Sequence, residues 1–200
     1  KRYSYDWANL WLINTHNGIK GKIPRIQIEN YPAIKAHLDQ YWEKISTRAD
    51  KGDTPYNLRN CAYMEDFSKP KIVWGEISDK SKFAFDFSGE YIPEATTFYL
   101  NGEYIEYLLT ALNSSVSEWL FSKTGTTTGV GTIRWKKYTI EQLIVAKPNY
   151  EQQKEHLAAF ENLKAGKMSV SDFKDFSNEL MYKIYELTNE EIRAIENLYN

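Results

Sequence analysis

Cysteine is all but missing from this 200-residue chain. Cys61 stands alone, which excludes an intrachain disulfide and a cysteine-based zinc cluster. No apolar run approaches the roughly 18 residues that a membrane-spanning helix requires, so no membrane partner is expected. Charge of either sign is not in excess: the formal net charge is −2, and bulk attraction to a polyanion does not follow from it. Catalytic signatures are missing as well. Gly129-Val130-Gly131-Thr132-Ile133-Arg134 has Arg where a dinucleotide fingerprint needs its third Gly, and it lacks the Gly-Lys-Ser/Thr end of a phosphate loop. There is no His-Glu-x-x-His pair, and His16, His37 and His156 lie far apart without ligand spacing. Cys61 has no nucleophile signature around it. Asp172-Phe173-Lys174 imitates the acid-x-Lys pair of nucleases but falls on an apolar-periodic helix, so it reads as chance. Asn113-Ser114-Ser115 fits a glycosylation sequon but falls mid-helix in a chain without a secretion signal. The opening residues Lys1 to Trp7 carry neither an initiator Met nor a signal peptide pattern, and the chain reads as a piece of a longer protein.

What is present is an ordinary globular composition with a heavy aromatic load. Hydrophobic residues make up 42% and charged residues 26%, with fifteen Tyr, nine Phe and six Trp. That suits one domain, or one domain with a small helical appendage. The spacing places most aromatics in a core: Trp42 and Trp119 on helix faces, and Phe83, Phe85 and Phe87 on one strand face. The charge is uneven. Residues 1–149 carry 19 basic and 17 acidic side chains, whereas residues 150–200 carry 6 and 10. Lys20, Lys22 and Arg25 form one basic cluster, and Arg134, Lys136 and Lys137 another. Screening makes local charge count for more than the total, so either cluster is a candidate phosphate site. A solvated surface is the competing and plainer reading of each cluster.

The pattern predicts an α+β fold over 1–148 and an all-α tail over 149–200. Leu10–Asn14 reads as a buried strand, followed by an Asn-Gly turn at Asn17-Gly18. Ile26 and Ile28 alternate as in a strand. Pro32 opens a helix with Ile34, Leu38, Tyr41, Trp42 and Ile45 on one face, ending near Ala49. Residues 50–70 read as loop. Strands are predicted at Lys71–Ile77, around Phe83–Phe87, and at Thr96–Leu100, the first two joined through a turn at Ser78–Ser81. One long helix is predicted from Ile105 to Lys123, then a Thr/Gly loop, then a strand or two over Arg134–Val145. In the tail, helices are predicted over Tyr150–Lys164, after a cap at Ser171, and after a Thr188–Glu191 capping box.

The ordered pieces resemble a known family. They are Tyr31-Pro32-Ala33-Ile34 with Leu38, Tyr41 and Arg48; Tyr56-Asn57-Leu58-Arg59; Phe67-Ser68-Lys69-Pro70-Lys71-Ile72-Val73-Trp74; Tyr107-Leu108-Leu109-Thr110-Ala111-Leu112-Asn113-Ser114; and Lys137-Tyr138-Thr139-Ile140-Glu141-Gln142-Leu143. Together they look like the TaqI-like C-terminal specificity domain, the target recognition domain of adenine-N6 DNA methyltransferases and of fused type IIG restriction–modification enzymes. In the tail, Pro148-Asn149-Tyr150-Glu151-Gln152-Gln153 and Leu180 to Ile192 resemble segments that follow such domains.

The resemblance implies a DNA target recognition domain over 1–148 and a helical segment over 149–200. It implies a partner, double-stranded DNA read in the major groove, and a second partner, an N-terminal methyltransferase domain of the same parent chain. That domain would bind S-adenosylmethionine, carry the Asn-Pro-Pro-Tyr motif absent here, and flip the adenine out of the duplex. This chain itself would hold no cofactor, no metal and no catalytic residue, and would work in the cytoplasm. The expected phosphate contacts are Lys20, Lys22, Arg25, Lys136 and Lys137, with Thr126 and Thr127 of the Thr/Gly loop. The expected base readers are Asn17, Arg59 and Arg134, with Arg25 as a further candidate. The competing reading is a module that binds a glycan or a protein through exposed aromatics.

Overall fold

A computed structural model of the chain describes residues 1–127 and 132–197. Compactness divides it into two units: Trp7–Asp66, and Lys1–Asp6 together with the chain from Phe67 onward. The architecture is α+β with a helical C-terminal part, as the sequence pattern implies.

The Trp7–Asp66 unit holds two short helices, α1 (Pro32–Asp39) and α2 (Trp42–Thr47). Pro32 sits in the first turn of α1, where its missing N–H costs nothing. The helix expected to run on to Ala49 breaks at Gln40–Tyr41, where Tyr41 leaves the helical region with φ −110° and ψ 18°. Neither helix buries a residue, and Trp42, expected in the core, is 45% exposed. The strand expected at Leu10–Asn14 does not form, and Trp11 is 86% exposed. Strands also do not form around Ile26 and Ile28; Ile28 is buried in a 3-10 turn, Ile28–Asn30. With so little apolar burial, the unit is held by backbone-directed polar side chains. Asn57, 1% exposed, donates from Nδ2 to the carbonyl of Ile26 at 3.0 Å and accepts at Oδ1 from the Thr54 hydroxyl at 2.6 Å. Arg48 donates from Nη2 to the carbonyls of Asn57 and Pro55 at 2.7 and 3.2 Å. Leu58 donates its N–H to the carbonyl of Thr15 at 2.9 Å. Buried polar groups paired to backbone in this way fix a loop-rich chain where packing cannot, although Arg48 Nε is buried without a hydrogen-bond partner among the described residues.

The other unit is built on two small antiparallel sheets. In the first, β1 (Lys71–Gly75) lies between β3 (Ala84–Asp86) and β4 (Thr97–Leu100). In the second, β6 (Ile133–Arg134) lies between β2 (Ile77–Ser78) and β5 (Thr126–Thr127). The expected pairing of the Lys71 and Phe85 strands is present, with Ile72 opposite Phe85. The segment between them does more than turn: β2 leaves to join the second sheet. Tyr3 adds to the free side of β3, donating its N–H to the carbonyl of Phe83 at 2.8 Å.

Helices α3 (Ile105–Leu112) and α4 (Ser115–Thr124) replace the single helix predicted over 105–123. The break has a physical cause. Asn113, fully buried, donates from Nδ2 to the Phe83 carbonyl at 2.9 Å and accepts from the Phe83 N–H at Oδ1 at 3.1 Å. Its side chain thus acts as one more strand residue beside β3, and Ser114 caps the new helix by accepting from the N–H of Ser117. After β6, a short helix α5 (Lys137–Ile140) stands where strands were expected. The tail folds into α6 (Tyr150–Lys164), α7 (Val170–Ile184) and α8 (Asn189–Glu196). Asn149 and Thr188 both form capping boxes. The cap of α7 is Ser169 rather than Ser171, and Asp172 of the acid-x-Lys look-alike answers to it. The tail does not pack apart from the rest. Leu180, Met181 and Ile195 share one apolar cluster with Ala111 and Val116, and Phe160 and Phe173 share another with Ile72, Phe83 and Leu112. Compactness therefore does not part the chain at 148.

The least expected feature is an ion pair inside this apolar frame. Lys71 and Asp86, opposite each other in the β1–β3 register, meet at 2.6 Å with side-chain exposures of 0% and 1%. Lys71 also donates to the carbonyls of Phe67 and Lys69 at 2.8 and 3.3 Å. Asp86 also accepts from the N–H groups of Ser88, Gly89 and Tyr91. Burial alone would raise the Asp86 pKa. The hydrogen bonds from Lys71 and Tyr91 outweigh it and hold the carboxyl below its usual range.

Replacing Asp86 with Asn should strand a buried ammonium and cost about 3–5 kcal/mol, read as a fall in the denaturation midpoint. A paired change to two apolar residues, Lys71→Met with Asp86→Leu, should recover most of that loss. A second expectation concerns pH. His156 is 1% exposed, and burial pushes its pKa down to about 4. The unfolded chain therefore takes up a proton below pH 6.5 that the folded chain refuses until about pH 4. Stability should fall across that window by on the order of 3 kcal/mol. Urea titrations of His156→Gln should show a flatter profile over the same pH range.

Candidate nucleic-acid interface

The expected contact residues fall into two groups, one in each unit. The first is built on a tight hairpin. Ile19 and Ile23 exchange backbone hydrogen bonds at 2.8 and 2.9 Å, leaving Lys20, Gly21 and Lys22 as the tip. Glycine takes a left-handed conformation at two positions here, one before the turn and one at its tip. Gly18 has φ +75°, and a Cβ there would lie 2.3 Å from the Ile23 carbonyl oxygen. Gly21 has φ +76° with nothing within 4 Å, so the tip is bare backbone facing open space. Asn17 ties the hairpin to the 50–60 loop, donating from Nδ2 to Asp53 Oδ1 at 3.0 Å and to Asn60 Oδ1 at 2.6 Å. Between hairpin and loop lies a cleft of about 740 Å³, lined in part by Asn17, Lys20, Lys22, Arg25, Asp53 and Asn60.

The cations here differ in how they are held. Lys22 pairs with Glu65, Arg25 lies 3.6 Å from Asp53, and Arg59 lies 3.3 Å from Asp50. Lys20 is exposed. Four of the expected residues, Asn17, Lys20, Lys22 and Arg25, are thus brought together at the cleft, whereas Arg59 is not among its lining. Asn17 does not present a free amide edge, because its hydrogens and its oxygen are engaged within the loop network.

The second group sits on the small sheet and the short helix after it. Arg134 on β6 lies opposite Thr126 on β5 and pairs with Glu76 at 3.5 Å. Lys136 is the N-cap of α5, with its Nζ 5.9 Å from the centre of the Tyr138 ring. Lys137 pairs with Glu141 at 3.6 Å along the same helix. Trp135 sets the alternation. Its ring is 2% exposed and stacks on Phe121 at 4.1 Å with an interplanar angle of 1°. Its indole donates to the Ser78 carbonyl, and its own carbonyl accepts from the Trp74 indole at 2.8 Å. With Trp135 anchored inward, the cations on either side are carried on a fixed frame. The side chain of Thr127 and all of residues 128–131, the rest of the expected Thr/Gly loop, lie outside the described residues.

Three contributors escaped the sequence reading: Asp53 and Asn60, which position Asn17, and Trp135, which positions its charged neighbours. For Trp135 a signal existed, the alternation Ile133-Arg134-Trp135-Lys136 with one aromatic between cations. For Asp53 and Asn60 there was none, because their role depends on a loop closing on a hairpin about 40 residues away in sequence. Elsewhere an apolar cavity of about 730 Å³ is lined in part by Phe85, Phe87, Tyr107, Leu108 and His156. Phe87, expected in the core, is 42% exposed. Among the described residues, no group of three or more His, Cys, Asp or Glu side chains could hold a metal ion, and no helix is long and apolar enough to cross a membrane.

Residues 5–145 match the model of the TaqI-like C-terminal specificity domain, so the chain belongs to that family. It is a specificity domain of the kind found in restriction–modification enzymes. The match stops three residues short of Pro148, and the tail helices lie beyond it. No curated protein matches the chain.

The two hairpin glycines make a contrasting test. Gly18→Ala should disrupt the hairpin, since its Cβ meets backbone that cannot yield. Gly21→Ala should cost only about 1–2 kcal/mol for its left-handed conformation. Chemical unfolding of the two variants separates these outcomes.

Proposed function

We propose that this chain reads a specific sequence in double-stranded DNA on behalf of an adenine-N6 methyltransferase of a restriction–modification system, in some arrangements fused to an endonuclease. The observation that carries this reading is the family match over residues 5–145. The two cationic surfaces are consistent with it. In this reading Lys20, Lys22, Lys136 and Lys137, with Thr126 and Thr127, meet phosphates, and arginine side chains carried on fixed backbone meet base edges in the major groove. The target adenine is reached by an N-terminal methyltransferase domain of the parent chain, which binds S-adenosylmethionine and extrudes the base. No residue of the present chain is assigned to that cofactor. The parent works in the cytoplasm, where its DNA is.

A second reading, a protein- or glycan-binding module, draws on one observation: Leu10, Trp11 and Leu12 are exposed side by side. Salt distinguishes the two. Binding to duplex DNA through several phosphates should weaken with rising salt at a log–log slope of about −0.9 per contact. Lys136→Ala with Lys137→Ala should weaken binding to every sequence and flatten that slope by about two contacts. Fluorescence anisotropy across a salt series measures both. Binding that is indifferent to salt would favour the second reading.

A further inference from the structure

The cations at the hairpin cleft are not equivalent, and the difference bears on which of them reads a base. Lys20 has no ion-pair or hydrogen-bond partner among the described residues, and it stands beside the bare Gly21 tip. Lys22 is drawn aside by Glu65. Arg25 has a partner that is itself fixed. Asp53 accepts at Oδ1 from Asn17 Nδ2 at 3.0 Å, and its own N–H donates to Asn17 Oδ1 at 2.9 Å. Asp53 Oδ2, its other oxygen, faces Arg25 Nη1 at 3.6 Å. The network tolerates no bulk behind it: a Cβ on Gly52 would lie 2.5 Å from Asn17 Oδ1. Asn17 is thus used up in place, while Arg25, about one-third exposed, keeps Nε and Nη2 on the cleft wall without a hydrogen-bond partner among the described residues.

These two ways of holding a cation suit two tasks. A phosphate accepts a compact charge from many directions, so a mobile lysine serves. Reading guanine needs a planar fork set against O6 and N7 in one orientation, so the guanidinium must be positioned before the DNA arrives. We infer that Arg25 is the guanine-reading residue of this cleft, that Asp53 and Asn17 are its positioning residues, and that Lys20 supplies the adjoining phosphate contact. The inference rests on the DNA-reading function proposed above. Of the two roles expected for Arg25, phosphate contact and base reader, it selects the second, and it moves Asn17 from base reader to support.

The test is selection of preferred sites from a random duplex pool by the 200-residue chain and its variants, followed by affinity measurements on the selected site. The wild-type chain should enrich a site containing a required guanine. Arg25→Lys should keep its affinity for random DNA yet lose about 10- to 100-fold of its discrimination at that single G·C position. Asp53→Asn, which can still accept from Asn17, should blunt preference at the same position. Replacing that guanine with 7-deazaguanine should cost the wild-type chain more affinity than it costs Arg25→Lys, which lacks the planar fork. Lys20→Ala should weaken all duplexes alike and lower the salt slope by about one contact. The assignment is overturned if Arg25→Lys alters no position, if it weakens every sequence equally, or if Asp53→Asn leaves the guanine preference intact. If the wild-type chain binds no duplex at low salt, the DNA-reading function fails and takes the role of Arg25 with it.

Discussion

The Lys71–Asp86 pair is the constraint on which the larger unit depends. Two opposite charges removed from water cost several kcal/mol unless every remaining donor and acceptor is met. Here each partner reaches beyond the other, Lys71 to the carbonyls of Phe67 and Lys69, and Asp86 to the N–H groups of the turn after β3. The pair therefore fixes register at the first rung of β1 and β3 and also shapes the entry to one strand and the exit from the other. A slip by one residue would bury a charge against nothing. That sets where Ile72, Trp74, Phe83 and Phe85 point, and hence the face on which the helices pack.

From that sheet the frame reaches the cations around Trp135 through aromatic contacts. Trp74 on β1 donates to the Trp135 carbonyl, and Trp135 lies flat on Phe121 of α4. Arg134 and Lys136 are thus carried by side chains two layers deep. The hairpin cleft is made differently. Its unit has almost no apolar core, and its geometry comes from Asn17 bonding to Asp53 and Asn60 and from Arg48 and Asn57 bonding to backbone carbonyls. One surface is positioned by packing and the other by polar closure, and they should respond differently to perturbation: the first to cavities, the second to loss of single hydrogen bonds.

Much of the fold was legible in the sequence wherever a local rule was also the deciding one. The capping boxes at Asn149 and Thr188, Pro32 in the first turn of α1 and the alternation around Phe85 all act within a few residues. Failures came where a distant partner decided. Asn113 ended a helix that periodicity would have continued, because Phe83 offered it a backbone to pair with. Leu10–Asn14 has the composition of a strand but no neighbouring strand. Of the candidate site, the cations were legible by type and clustering. Which of them faces a held carboxylate was not, because that follows from Asp53 arriving from another loop. The Lys-Pro-Lys-Ile stretch carries the family resemblance, and its physical content, the buried ammonium of Lys71, follows only from the register with Asp86.

The division of the chain has a topological consequence. The Trp7–Asp66 unit interrupts the other one: Tyr3 is already on the β3 edge before it begins, and β1 starts soon after it ends. It is an inserted cassette with both ends anchored in a single frame. Among the described residues, the apolar clusters of the frame are built from Tyr3 and from side chains after Phe67. An insertion joined to the frame at its two ends can vary in sequence without altering the order of the frame's own elements. For a specificity domain of the TaqI-like family, an insertion of this kind separates the segment that can vary from the one that carries the core.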